Sequence, residues 1–260
     1  MRISLYQVDA FTSCVFRGNP AAVCPLGAWL PDELMQQIAA ENNLSETAFF
    51  VPLKDGYHLR WFTPRTEVDL CGHATLASAH VIAHILKPGT RAIRFHSKSG
   101  PLSVAIVGDR LQLDFPADPP VPVSDGAAVV RALGARPEAL LSGRDKYLAV
   151  LVSERAVRDA SPDERALAAL DRLGVIVSAP GTDCDFLSRF FAPNVGVPED
   201  PVTGSAHCVL VPYWAARLGK TKLHARQVSA RGGELSCEAR GERVLIAGQA
   251  VTYMQGCITI

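Results

Sequence analysis

The 260-residue chain has no charge excess, with 26 basic and 26 acidic side chains and no run of either sign. A balance of that kind provides no electrostatic footprint for nucleic acid or for an anionic membrane surface. No stretch reaches the roughly 18 uninterrupted apolar residues of a membrane span. The N-terminus, MRISLYQVDAF, alternates like a strand and has no apolar core of a secretory signal. The seven cysteines (14, 24, 71, 184, 208, 237 and 257) are odd in number and scattered, and none stands in a CxxC pair. That usage argues against a disulfide frame or a zinc ribbon and for reduced thiols, so the cytoplasm is the expected compartment. The GxGxxG and GxxxxGK[ST] phosphate-binding fingerprints are both missing, and no nicotinamide, flavin or pyridoxal phosphate cofactor is expected. The 48% hydrophobic content supports a packed globular core over one large domain or two ordinary ones.

What the chain does contain is an internal echo. FTPRTEVDLCGHATLASAH, from Phe62 to His80, and FAPNVGVPEDPVTGSAH, from Phe191 to His207, vary one theme. Aligning Phe62 with Phe191 pairs Pro64 with Pro193. Allowing extra residues in the second loop then pairs Glu67 with Glu199, Cys71 with Thr203, Gly72 with Gly204 and His73 with Ser205. Each copy ends in a small-residue turn feeding an apolar helix. Two similar halves, each presenting a polar turned element to a shared cleft, are therefore expected.

Short apolar or alternating segments bounded by Gly, Pro or Asp predict strands at Ile3–Asp9, Ala21–Cys24, Thr47–Val51, His58–Phe62, Ile93–Ser97, Leu102–Val107 and Leu111–Phe115. Further strands are predicted at Tyr147–Val152, Val175–Ser178, Leu187–Phe191, Gln227–Ala230, Leu235–Ala239, Val244–Ala247 and Val251–Ile260. Helices are predicted at Asp32–Glu41 behind Pro31, Ala74–Leu86, Gly126–Leu133, Pro162–Leu173 and Ala206–Leu218. The Ala74–Leu86 and Ala206–Leu218 helices are apolar almost all round, which requires burial on every side. The fold class read from this pattern is α+β: two similar domains, each an antiparallel β-barrel or roll around a central helix, rather than a chain of βαβ crossovers. The proline-rich segment with Pro116, Pro119, Pro120 and Pro122 makes a natural crossing between domains. This divides the chain into 1–115, possibly completed by 249–260, and 116–248.

GNPAAV (Gly18–Val23), LSETAFF (Leu44–Phe50), DLCGHATLASAH (Asp69–His80), EDPVTGSAH (Glu199–His207) and RGGEL (Arg231–Leu235) occur in that order. Together they resemble the phenazine-biosynthesis PhzF-like family, within the wider diaminopimelate-epimerase fold superfamily, from about Val8 to Leu235. The resemblance implies two barrel domains with an active site in the cleft between them, and cofactor-independent isomerase or epimerase chemistry. In the namesake members that chemistry is isomerisation of trans-2,3-dihydro-3-hydroxyanthranilate. It further implies that Glu46 is the acid/base, with His73, Asp200 and Ser205 beside it, and homodimers are common among such proteins.

This residue set suits proton transfer next to a carboxylate or enamine. A base must take the proton and an acid must return it, and one partly buried carboxyl group can do both. Glu46 is expected in the catalytic role with Asp200 and His73. Gly72, His73, Thr203, Gly204 and Ser205 are expected to bind a small carboxylate-bearing substrate, because a glycine turn at a helix start aims N–H donors and a positive dipole end at an anion. Arg189 and Arg231 are further candidates for an anionic group. No metal ligand set is predicted: His80 and His84, one turn apart in an apolar helix, read as satisfied core histidines. A thiol-dependent racemase using Cys71 is the competing chemistry, but its symmetric partner is Thr203, whose hydroxyl is no base near neutral pH. A non-catalytic small-molecule-binding protein is the other alternative.

Overall fold

In the computed structural model, which describes residues 1–260, the chain forms two units: Met1–Asp114 with Ala247–Ile260, and Phe115–Ile246. The first unit contains β1 (Arg2–Ala10), β2 (Asn19–Pro25), α1 (Asp32–Asn42), β3 (Glu46–Leu53), β4 (Gly56–Phe62), β5 (Glu67–Val68), α2 (Gly72–His80), β6 (Ala92–Ser97), β7 (Gly100–Val107) and β8 (Arg110–Pro116), the last running into the boundary. The second contains β9 (Val121–Pro122), α3 (Ala127–Leu133), β10 (Ala139–Ser142), β11 (Lys146–Val150), α4 (Glu154–Arg158), α5 (Glu164–Ala168), β12 (Gly174–Pro180), β13 (Phe186–Ala192), β14 (Val197–Asp200), α6 (Gly204–Leu218), β15 (Lys222–Gln227), β16 (Gly233–Arg240) and β17 (Arg243–Gly248). The chain then returns to the first unit with β18 (Ala250–Thr259).

In the first unit β1 pairs antiparallel with β18 and β2; β2 runs parallel to β3, and β3 antiparallel to β4. β4 pairs antiparallel with β5 and parallel with β6, and β6, β7 and β8 follow as antiparallel neighbours. The second unit repeats the series. β10–β11 is antiparallel, β11–β12 parallel, β12–β13 antiparallel, β13–β14 antiparallel, β13–β15 parallel and β15–β16 antiparallel. The echo between two segments of sequence is thus a repeat of whole strand topology.

Each sheet is mixed rather than purely antiparallel. Both parallel pairs in each unit are bridged by helical segments: α1 and α2 in the first, α4–α5 and α6 in the second. A parallel pair needs such a crossover, because a hairpin cannot bring two strands into the same direction. α2 touches β1, β2, β3 and β18, and every residue from Gly72 to Ala79 is buried. Its small side chains (Gly, Ala, Ser, Thr) let the surrounding sheet approach closely. α6 is placed similarly against β11, β15 and β16. α1 covers the other side of its sheet, with Met35, Ile38 and Ala39 packed among Ile3, Leu5, Cys24, Phe49 and Phe62. α3, α4 and α5 do the same in the second unit through Val129, Val157 and Leu167.

Three predicted elements differ. The strand expected at Gln227–Ala230 ends at Gln227 and begins at Lys222, because Leu223, Ala225 and Gln227 alternate inward behind charged neighbours that mask the pattern. The helix expected at Pro162–Leu173 is only Glu164–Ala168, and a short helix at Glu154–Arg158, capped by Ser153 on the Ala156 amide, precedes it. The helix expected at Ala74–Leu86 is α-helical to His80 and π-helical over Val81–Leu86. No helix is long and apolar enough to cross a membrane.

Candidate active site

Gly18 holds a left-handed backbone angle, φ +65°, and a Cβ there would lie 2.2 Å from the Ala10 carbonyl oxygen. Only glycine permits that close pass, and it delivers Asn19, fully buried, to the start of β2. β2 lies parallel to β3 with Ala21 opposite Glu46, so Asn19 and Glu46 emerge at the same end of the pair. α2 begins beside this end, and His73 in its first turn closes the group.

His73 Nε2 lies 3.1 Å from Glu46 Oε2, with the two side chains 5% and 16% exposed. The two atoms are not aligned as a hydrogen bond, and neither has another partner. On the other side of the ring, Nδ1 is 3.2 Å from the Asn19 amide nitrogen and 3.5 Å from Cys71 Sγ. Ser45 Oγ donates to Asn19 Oδ1 at 3.3 Å. A half-turn of the Asn19 amide exchanges its nitrogen and oxygen, so the same residue can serve Nδ1 as acceptor or as N–H donor.

Burial pushes the Cys71 thiol up to about 11, and the neighbouring Glu46 carboxylate acts in the same direction. Burial favours neutral His73, but the charges of Cys71 and Glu46 outweigh it and hold the imidazole well above its ordinary range.

The second unit builds a different constellation at the matching place. Thr203 Oγ1 donates to Asp200 Oδ2 at 2.5 Å. Gln227, buried at the end of β15, accepts from the Thr203 amide at 2.8 Å and donates to the Asp200 carbonyl at 2.8 Å and Thr203 Oγ1 at 3.1 Å. His207, kept neutral by burial with its pKa lowered to about 4, pairs through Nδ1 with the Thr203 carbonyl at 2.8 Å. Thr75, the equivalent residue of the first copy, donates in the same way to the Cys71 carbonyl at 2.5 Å. Gly204 is buried and Ser205 half-buried in the first turn of α6. Neither Cys71 nor Thr203 caps its helix through a side-chain hydrogen bond.

Of the predicted site residues, Glu46, Gly72 and His73 therefore gather in the first unit, and Asp200, Thr203, Gly204 and Ser205 in the second. Asn19 and Gln227 were given no role by the sequence reading. Asn19 stands inside the GNPAAV motif, where a polar residue among small apolar ones is the available signal; Gln227 was concealed by the misplaced strand. Arg189 is not a free anion receptor. It forms a bidentate pair with Glu199 at 2.7 and 2.9 Å, donates to the carbonyls of Val157, Arg158 and Ala160, and lies over the Phe191 ring. Arg60 repeats this clamp with Glu67 at 2.7 and 2.9 Å and with the Phe62 ring. The duplicated Glu67 and Glu199 thus anchor the loops preceding α2 and α6. His84 is exposed rather than a core residue, and His80 is half-buried with Nε2 3.0 Å from Thr252 Oγ1. Their rings stack at 4.6 Å, a near-parallel arrangement that keeps both sets of in-plane lone pairs from meeting at one ion.

The family model described as phenazine biosynthesis-like protein matches residues 8–256. An uncharacterized isomerase of Pseudomonas aeruginosa is 56% identical over 261 residues, covering 100% of both chains. The crystal structure of a phenazine biosynthesis protein of the PhzF family from Enterococcus faecalis superposes with a TM-score of 0.96 at 48% identity, covering 100% of both chains. A hydroxyproline epimerase from Agrobacterium vitis, at 12% identity, shares the fold with a TM-score of 0.63 over 99% of this chain and 92% of that one.

Proposed function

The chain belongs to the phenazine biosynthesis-like family, and from that premise we propose that it is a cofactor-independent isomerase or epimerase acting on a small carboxylate-bearing amino or enamine substrate. Glu46 moves the proton. The observation that carries this reading is the Glu46–His73 pair, with Oε2 and Nε2 3.1 Å apart, both buried and both without a hydrogen-bond partner. Buried polar atoms without hydrogen bonds are rare, and a substrate's polar groups would supply the missing partners.

In the proposed reaction a substrate C–H bond breaks and its proton passes to a Glu46 carboxylate oxygen. The electron pair delocalises into the adjacent carboxylate or C=N group. His73, whose pKa is raised by Cys71 and Glu46 together, donates a hydrogen bond to the atom that gains charge. Once Glu46 has taken the proton, its carboxylate no longer offsets burial, so His73 can give up its own proton more readily. Return of the proton to the same carbon gives epimerisation, and return to a conjugated carbon gives a 1,3-shift. Asp200 is assigned as the assisting acid. Gly72, Thr203, Gly204 and Ser205 are assigned to the substrate anion, on the strength of the repeated glycine turn at a helix start.

The thiol alternative requires Cys71 to ionise near neutral pH. Burial and the Glu46 anion both oppose that. Incubation in D₂O with a panel of amino acids and cyclic enamine acids tests the proposal by carbon-bound deuterium. Exchange lost in Glu46→Gln and retained in Cys71→Ser is the expected outcome. Exchange surviving Glu46→Gln but lost in Cys71→Ser assigns the chemistry to the thiol instead.

A further inference from the structure

Glu46, Cys71 and His73 offer a carboxylate oxygen, a sulfur and an imidazole nitrogen that all lie within 4.8 Å of one another. An equilateral triangle of that edge has its centre about 2.8 Å from each corner. Inward shifts of roughly 0.5–0.8 Å, with Cys71 Sγ swinging away from Nδ1, where it lies at 3.5 Å, therefore reach the ~2.0–2.3 Å bonds that zinc makes to such donors. The facing Oε2 and Nε2 atoms have no hydrogen bond, and the ion replaces the ion pair that they form at 3.1 Å. Nδ1 is already held by Asn19 at 3.2 Å, and an outer amide on one ring nitrogen directs the other nitrogen to a metal. A sulfur, nitrogen and oxygen donor set selects borderline ions such as zinc over magnesium or calcium. The second copy has no equivalent set, since Thr203 and Ser205 stand where Cys71 and His73 do.

We propose that Glu46, Cys71 and His73 form an inhibitory site for a zinc-type divalent ion. On binding, the Cys71 thiol and the His73 imidazolium each release a proton to solvent, and the sulfur, Nε2 and the carboxylate each donate a lone pair to the ion. No redox change occurs, and water takes the fourth position. The inhibitory half rests on the isomerase reading above: a coordinated Glu46 no longer has its lone pair for substrate. The binding half rests on the donor geometry alone.

The test uses the reduced full-length protein carrying Cys14→Ser and Cys257→Ser, which removes the two exposed thiols. Cobalt(II) titration is expected to saturate at one ion per chain, with a thiolate-to-cobalt charge-transfer band in the near ultraviolet and visible bands of four-coordinate cobalt. Zinc chloride should bleach both. Cys71→Ser should abolish the charge-transfer band, Glu46→Gln should weaken binding while preserving it, and Asn19→Ala should lower affinity about 10–100-fold. A missing band, or one that persists in Cys71→Ser, overturns the site. Deuterium exchange is then followed with zinc and after EDTA. Exchange unaffected by zinc at saturation overturns the inhibitory half. Cobalt binding in a protein with no exchange even in EDTA leaves the metal site standing and counts against the isomerase reading.

Discussion

Gln227→Leu isolates the clamp on the Asp200–Thr203 loop, because leucine fills nearly the same volume while removing both amide functions. Gln227 is 1% exposed and makes three hydrogen bonds to the loop, two at 2.8 Å and one at 3.1 Å. They are unequal in cost. The buried Thr203 amide is left without a partner, worth about 1–3 kcal/mol. The Asp200 carbonyl belongs to a half-buried residue and regains water, so its bond contributes about 0.5–1.5 kcal/mol, and Thr203 Oγ1 keeps its bond to Asp200. The sum is about 1.5–4.5 kcal/mol. At about 2–4 °C per kcal/mol for a chain of this size, a loss near 3 kcal/mol lowers Tm by roughly 6–12 °C. Urea unfolding and calorimetry measure it, and the deuterium-exchange rate should fall too as Asp200 and Thr203 lose their fixed positions. A loss below about 0.5 kcal/mol with an unchanged denaturant slope refutes the assignment of Gln227 as the loop's anchor.

Other perturbations address the first unit. In NMR titration, His73 should ionise above the ordinary histidine range, and Glu46→Gln should bring it down, since burial then acts unopposed by a carboxylate. A raised folded-state value means that this stabilisation is fully present below the unfolded value of 6.5 and fades as pH rises through the folded value. Glu46→Gln should flatten that part of the stability–pH curve, and an unchanged His73 titration in the variant contradicts the pairing. Iodoacetamide at pH 7.5 should label exposed Cys14 and Cys257 well before buried Cys71, as mapped by mass spectrometry; rapid Cys71 labelling with loss of exchange restores the thiol mechanism. Gly18→Ala places a Cβ 2.2 Å from a backbone carbonyl at positive φ and should cost more than about 2 kcal/mol while reducing exchange through Asn19. Wild-type stability in Gly18→Ala is the contrary result.

Much of the architecture was legible because burial leaves periodic marks. Inward alternation in β1, β4 and β8 and the all-round apolar character of α2 and α6 reflect one-sided and complete burial. Where charge interrupts the marks, as in the Lys222–Gln227 strand, the reading slipped. The parallel pairing of β2 with β3 and of β4 with β6 left no local signature, since strand direction depends on where the chain returns and not on residue type. The π-helical end of α2 left none either. Arg189 shows the same limit from the chemical side: its sequence neighbourhood allowed an anion receptor, whereas its partner Glu199 lies across a β-turned loop.

Residue order alone shows that the chain is built from two versions of one motif, that each carries a glycine turn before an apolar helix, and that the versions diverge at Cys71/Thr203 and His73/Ser205. Those features are local and repeat at a readable spacing. What surrounds them depends on the folded chain. Asn19, Glu46 and His73 come from the start of β2, the start of β3 and the first turn of α2, and a parallel strand pair with a helix packed at its end is what brings Asn19 to 3.2 Å and Glu46 to 3.1 Å from His73. The ionisation of His73 follows from that meeting, because burial and a facing carboxylate oppose each other only when the fold puts both at the same atom.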